Sequence, residues 1–122
     1  MTKALTTFFG AWSESDSTKR TKAVADAIAS DGIYSDPRSG QRLASTEEIS
    51  KYVGMFCENA PGWTAKVVKS DEVNAYVRAV VAFGGKGPDG SEVVQHGTYF
   101  GEINDEGKLV FLSGFVGIAN AD

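Results

Sequence analysis

Few side chains in this sequence could do chemistry, and Asp36 comes first among them. It ends the segment Ile33-Tyr34-Ser35-Asp36-Pro37, where an apolar run meets a carboxylate and then a proline. A carboxylate desolvated at the mouth of an apolar cavity suits proton abstraction beside a carbonyl. Aspartate before proline at a strand end also makes an Asx-type turn, so a structural and a chemical reading stand side by side. His96 is the only histidine, the side-chain type that ordinarily changes charge near neutrality. An Asp36–His96 acid/base pair requires both to line one cavity, whereas a histidine on a strand more often sits at a surface or an interface. Trp12 carries an indole N–H that could donate to a ligand carbonyl, though a core position is its more ordinary fate. The single cysteine, Cys57, has no base near it in sequence and reads as an inert, largely buried thiol.

Composition narrows the choices further. The chain has 122 residues, 42% hydrophobic and 23% charged, which describes one domain spanning 1–122 with a core of its own. One cysteine and one histidine exclude an internal disulfide and a Cys/His zinc cluster. Twelve basic against sixteen acidic residues give a net charge of −4, the wrong sign for a nucleic-acid backbone binder. No run approaches the roughly 18 apolar residues of a membrane span, and no signal-peptide pattern opens the chain. The expected setting is therefore cytoplasmic, with no nucleic acid, no membrane and no metal or nucleotide cofactor.

The elements that must position these residues follow from periodicity. Leu5, Phe8, Phe9 and Trp12 fall at helical spacing within 2–14, with Thr2 as a possible cap. A second helix over roughly 17–30 carries Ala23, Val24, Ala27 and Ile28 on one side. A short strand covers Gly32 to Pro37, and a polar loop covers 38–44. Ser45 and Glu48 form a capping box for a third helix with Ile49, Tyr52, Val53 and Phe56 as its apolar stripe. Asn59-Ala60-Pro61-Gly62 closes that helix. Strands are expected over 63–69, 73–84, 91–103 and 108–117, with turns at Ser70-Asp71, Gly85 to Gly90 and Asn104 to Gly107. Short turns between consecutive strands imply an antiparallel meander, curved where Gly97 and Gly101 allow bulges. The fold class is α+β: a cone-shaped, curved antiparallel or mixed sheet with three N-terminal helices packed on its concave face. A cone of this size implies a concave apolar pocket lined from Phe8, Tyr34, Tyr52, Phe56, Val81, Phe83, Phe111 and Phe115.

Three features together resemble the nuclear transport factor 2-like superfamily, which includes ketosteroid isomerases and SnoaL-like polyketide cyclases. They are the Trp12-bearing first helix, the Ile33-Tyr34-Ser35-Asp36-Pro37 segment after two helices, and the hairpin from Gly97 to Gly117 with its Asn-Asp-Glu-Gly-Lys-Leu turn. The resemblance covers the element order of essentially the whole chain. It implies that Asp36 holds the position of the ketosteroid isomerase general base. The position of that enzyme's oxyanion-hole tyrosine falls on Trp12, and that of its second donor, a protonated aspartate, falls on Tyr99. One of three functional positions is kept in type, which points to a changed reaction or to none. Tyr99 could still donate its hydroxyl to an oxyanion.

Three functions fit these residues. The first is a cofactor-free isomerase or cyclase acting on a small hydrophobic carbonyl compound, with Asp36 as base and Tyr99, His96 or Trp12 assisting. Tyr34, Tyr52, Phe56, Phe83 and Phe115 would hold the ligand. The second is a non-catalytic binder of a small hydrophobic molecule. The third, with least support, is an adaptor working through the sheet face or cone rim. Strict alternation puts Gln95, Gly97, Tyr99 and Gly101 on one sheet face, and Val94, His96, Thr98 and Phe100 on the other. On the last strand it groups Leu109, Phe111, Ser113 and Phe115 against Val110, Leu112 and Val116. Both faces are apolar and helices cover only one, so a homodimer packed sheet to sheet is expected.

Overall fold

The computed structural model describes residues 2–118, so the domain expected over 1–122 extends past the described residues at both ends. Three helices, α1 (Lys3–Ala11), α2 (Ser17–Ala27) and α3 (Thr46–Asn59), pack against an open five-stranded sheet. Its strands are β1 (Ile28–Ser35), β2 (Thr64–Val73), β3 (Tyr76–Lys86), β4 (Glu92–Ile103) and β5 (Leu109–Val116). They lie in the order β1-β5-β4-β3-β2. β1 runs parallel to β5, and every other pair is antiparallel. The result is the expected α+β cone with a mixed sheet. Among the described residues, no helix is long and apolar enough to cross a membrane.

Local chemistry explains the helices. All four stripe residues of the first helix, Leu5, Phe8, Phe9 and Trp12, are buried. Thr2 is its N-cap residue but makes no side-chain cap; its hydroxyl donates to Glu72 on β2 instead. Asp16 caps α2 by accepting from the Thr18 and Lys19 amides, at 2.9 and 3.0 Å. That carboxylate offsets the basic residues at the positive end of the helix dipole. α3 starts at the expected capping box in a modified form. Ser45 Oγ accepts from the Glu48 amide at 3.1 Å, while the Glu48 carboxylate reaches one residue further back, to the Ala44 amide at 2.9 Å.

Three features differ from the sequence reading. α2 stops at Ala27, three residues early, because Ile28 is already extended and pairs with Leu109 of β5. Burying Ile28 and Ala29 in a sheet satisfies these residues as well as the helix would have done. Gly32 lies within the register shift of β1 between Ile28 and Ile33, where a Cβ would run into Ile28 and the Leu109 carbonyl. The turn expected at Ser70-Asp71 lies at Asn74-Ala75, both with positive φ, as a two-residue hairpin turn requires. Ser70 and Asp71 are instead strand residues, and Asp71 holds Arg78 of the neighbouring strand in an exposed ion pair.

The third difference concerns side-chain direction. β5 carries one extra residue, Val110, opposite the Glu102–Ile103 step of β4. That bulge reverses the alternation, so Leu109 and Leu112 both point inward and Phe111 and Phe115 point out. Phe115 is 62% exposed and lies outside the cone, contrary to its expected place in the lining. The outer sheet face therefore shows Tyr76 stacked on Phe100, with Phe111 beside them, at centroid distances of 5.7 and 5.9 Å.

Candidate functional site

Asp36 sits where β1 ends, and its two oxygens have different partners. Oδ1 accepts from the backbone amides of Arg38 and Ser39 at 2.9 and 2.8 Å, which builds the Asx-type turn. Oδ2 accepts from the Tyr34 hydroxyl at 2.6 Å. The Tyr52 hydroxyl, reaching in from α3, bridges both oxygens at 2.7 and 2.9 Å. Tyr34 lies two residues before Asp36, so the period of the strand directs both side chains to the same side.

Tyr34 links this carboxylate to the sheet. Its hydroxyl lies 3.0 Å from that of Tyr99 on β4. Since the Tyr34 proton goes to Asp36, Tyr99 must be the donor in that contact. The hydrogen bonds thus run in one direction, Tyr99 to Tyr34 to Asp36, and Tyr52 enters Asp36 from the other side. Tyr99 is seated over β5 by Gly114, where any Cβ would collide with its ring. Burial pushes the Tyr34 hydroxyl well above the ordinary tyrosine value, and the adjacent Tyr99 and Asp36 add to the shift. Tyr52 is raised by burial and then by its bond to Asp36. Tyr99 is raised chiefly by burial, against a smaller opposing effect of its bond to Tyr34. All three hydroxyls stay protonated, as donors to this chain of bonds must.

Aromatic rings surround the polar thread. Trp12 contacts the rings of Tyr34, Tyr52, Phe56 and Phe83 at centroid distances of 6.0, 6.0, 5.0 and 5.5 Å. Phe8 and Phe9 pack beneath, against Tyr34 and Tyr99 respectively. The concave space expected as an open pocket is packed with these rings. Tyr52, Phe56 and Phe83 are half-buried and form its outer side. Trp12 is 3% exposed, yet its Nε1 has no hydrogen-bond partner. A buried donor without an acceptor costs about 1–3 kcal/mol. Two surface grooves lie elsewhere. The larger, about 340 Å³, runs over Thr64, Lys66, Gly84, Glu92 and Val94, and the smaller, about 190 Å³, lies between Thr2 and Glu72; neither includes Asp36.

The structure brings Asp36, Tyr99, Trp12, Tyr34, Tyr52, Phe56 and Phe83 into one cluster. It does not bring in His96 or Phe115. His96 is exposed and lies opposite Ala82, on the face of β4 turned away from Tyr99, so no Asp36–His96 pair forms. No bulge intervenes between His96 and Tyr99 to change that. Sequence reasoning treated Tyr34 and Tyr52 as apolar lining and missed their hydroxyls as the direct partners of Asp36. The two-residue spacing of Tyr34 and Asp36 was the available signal. Cys57 donates to the Trp12 carbonyl at 3.1 Å, beside the end of α1, and is half-buried. Among the described residues no three His, Cys, Asp or Glu side chains converge as a metal site would need.

No protein-family model and no curated protein matches the sequence. Solved structures do. A provisionally assigned isomerase of the SnoaL-like family from Agrobacterium tumefaciens superposes with a TM-score of 0.79 at 24% identity, over 94% of this chain and 95% of that one. A nuclear transport factor 2-like protein of unknown function from Exiguobacterium sp. 255-15 gives 0.74 at 19% identity, over 96% and 100%. A provisionally assigned polyketide cyclase from Sinorhizobium meliloti gives 0.69 at 21% identity, over 93% and 94%. The fold is nuclear transport factor 2-like throughout.

Proposed function

We propose that this domain binds a small hydrophobic carbonyl compound at the Asp36 end of the cone and moves a proton on it, as a cofactor-free isomerase or cyclase. The observation that carries this reading is a lone carboxylate held by two tyrosine hydroxyls inside a wall of aromatic rings. Asp36 would take a proton from the carbon beside the carbonyl. Tyr99 or the unpartnered Trp12 N–H would steady the charge that develops on oxygen. Tyr99 can turn its proton to a ligand at the expense of one bond, because Tyr34 keeps its own bond to Asp36. The isomerase and cyclase assignments among the structural neighbours support the same reaction class. A test follows loss of substrate C–H signals to deuterated solvent across a panel of cyclic enones and diketones. Asp36→Asn is expected to slow exchange by about 10²–10⁴-fold, and an unchanged rate refutes the assignment.

A second reading, non-catalytic ligand binding, is favoured by one specific observation. Asp36 already accepts from four donors, so little of the carboxylate is free in the resting state. Saturable binding with no exchange in the wild type would select it. For the outer sheet face, with Tyr76, Phe100 and Phe115 exposed, we propose cover by a second copy of the chain, sheet to sheet. Sedimentation at micromolar concentration is expected to give twice the chain mass, and a monomer refutes it.

A further inference from the structure

The four donors to Asp36 are not equivalent. The Arg38 and Ser39 amides belong to a tight backbone turn and cannot withdraw without undoing it. Tyr34 is fully buried, with its ring against Phe8 and its oxygen held by Tyr99. Tyr52 alone reaches Asp36 from another element, is half-buried, and spreads one hydroxyl over both carboxylate oxygens. Of the four donors, Tyr52 is therefore the one that a molecule reaching this carboxylate can displace.

We infer that Tyr52 is a resident substitute for the ligand: the site takes a molecule that presents a phenol-type or enol-type O–H to Asp36 where the Tyr52 hydroxyl now lies. The inference rests on the reading of Asp36 as the group that meets the ligand, and it specifies what that ligand offers. A carboxylate accepts hydrogen bonds and cannot donate, so a ligand carbonyl arriving there would lose the Tyr52 bond and gain nothing. An O–H donor restores it. The place vacated adjoins Trp12, whose ring stands edge-on to that of Tyr52 at 84°. The unpartnered Trp12 Nε1 is a second, independent deficit on the same wall. A ring that carries a hydroxyl for Asp36 and an acceptor oxygen for the indole would satisfy both groups. Tyr52 then acts as a specificity residue. It favours a ligand able to replace its hydrogen bond over one that cannot.

Fluorine NMR titrations with para-fluorophenol and para-fluoroanisole test this, because the two probes share the fluorinated ring, and the methyl group that removes the donor would by apolar area alone favour the ether. The wild-type chain is expected to bind the phenol in preference to the ether. Tyr52→Phe removes the competing hydroxyl and is expected to tighten phenol binding about tenfold, leaving the ether unchanged. Asp36→Asn is expected to erase the preference for the phenol. Equal binding of the two probes by the wild type, or no tightening in Tyr52→Phe with the melting curve intact, overturns the inference. The wild-type comparison stands whether or not a variant folds well. If probe preference fails while enone exchange still depends on Asp36, this inference falls alone. If exchange is absent while the phenol preference holds, the catalytic reading falls and the binding rule stands.

Discussion

The one-way run of hydrogen bonds through the tyrosines makes a quantitative prediction about removing them. Tyr34→Phe deletes a 2.6 Å hydroxyl-to-carboxylate bond, and a bond to a charged group is worth about 1.5–3 kcal/mol. It also deprives Tyr99 of its acceptor, and at 4% exposure water is poorly placed to replace it. An orphaned buried hydroxyl costs a further ~1–3 kcal/mol. The expected loss for Tyr34→Phe is therefore about 3–5 kcal/mol. Tyr99→Phe removes a donor from Tyr34 but leaves the Tyr34–Asp36 bond intact, so its expected cost is only about 1 kcal/mol. In the double variant the orphan created by the first change is gone. Adding Tyr99→Phe to Tyr34→Phe should then cost nothing or restore up to about 1 kcal/mol, a departure from additivity of about 1–2 kcal/mol. Urea denaturation of the four proteins measures this, with equal m-values required before midpoints are compared. Losses that add to within about 0.5 kcal/mol would refute the directionality, as would Tyr99→Phe costing more than Tyr34→Phe.

Two further outcomes are expected. Tyr34 and Tyr99 keep their protons in the native state well above pH 10, while in the unfolded chain they ionise near 10. Their contribution is thus full below pH 10 and lost as pH rises beyond it, by about 1.4 kcal/mol per pH unit for each, so urea midpoints should fall between pH 10 and 11.5; constant midpoints would contradict the burial of these hydroxyls. Ala75 adopts φ of +71° in the β2–β3 turn, a conformation costing roughly 1–2 kcal/mol for a residue with a Cβ. Ala75→Gly is expected to raise stability by about 0.5–1 kcal/mol after the extra chain entropy of glycine is counted, and a lower melting temperature would show that the turn is not of this type.

What the sequence disclosed and what it concealed divide along physical lines. The third helix was plain because capping and periodicity act within a few residues, and Ser45, Glu48 and the Ile49-Tyr52-Val53-Phe56 stripe all agree. Ser70-Asp71 misled because polar, turn-forming residues also suit the exposed side of a strand, where Asp71 meets Arg78. The true turn at Asn74-Ala75 lacked the glycine that usually marks it. Phe115 was misplaced by a single inserted residue at Val110, since one bulge reverses every direction beyond it. The turn at Asp36 was legible because the amides that make it, those of Arg38 and Ser39, are two and three residues away. The Asp36 Oδ1 makes the Asx-type turn, while its Oδ2 is taken by the Tyr34 and Tyr52 hydroxyls. Tyr34 and Tyr52 were recognised as aromatic and buried, but residue type reports where a ring goes and says nothing of where its hydroxyl points. His96 shows the converse: a side chain with reactive chemistry has no role at this site when strand parity turns it away.

The strand that carries Tyr34 and delivers Asp36 has one strand beside it in the sheet, far along the chain, and at its other edge a bridge from Tyr34 to Leu43. β1 pairs with β5, with Ile28 opposite Leu109, about eighty residues later. The helices and the β2–β3–β4 meander can assemble from near neighbours, but the edge that holds the carboxylate must wait for a distant strand to arrive. Such non-local pairing delays folding, because chain entropy is lost before the contacts compensate for it. Until β5 has been made, β1 therefore lacks its partner strand and is held at its other edge only through the Tyr34–Leu43 bridge. The run from Tyr99 through Tyr34 to Asp36 closes only when β4, β5 and β1 are joined in the sheet, so it doubles as a reporter of that pairing.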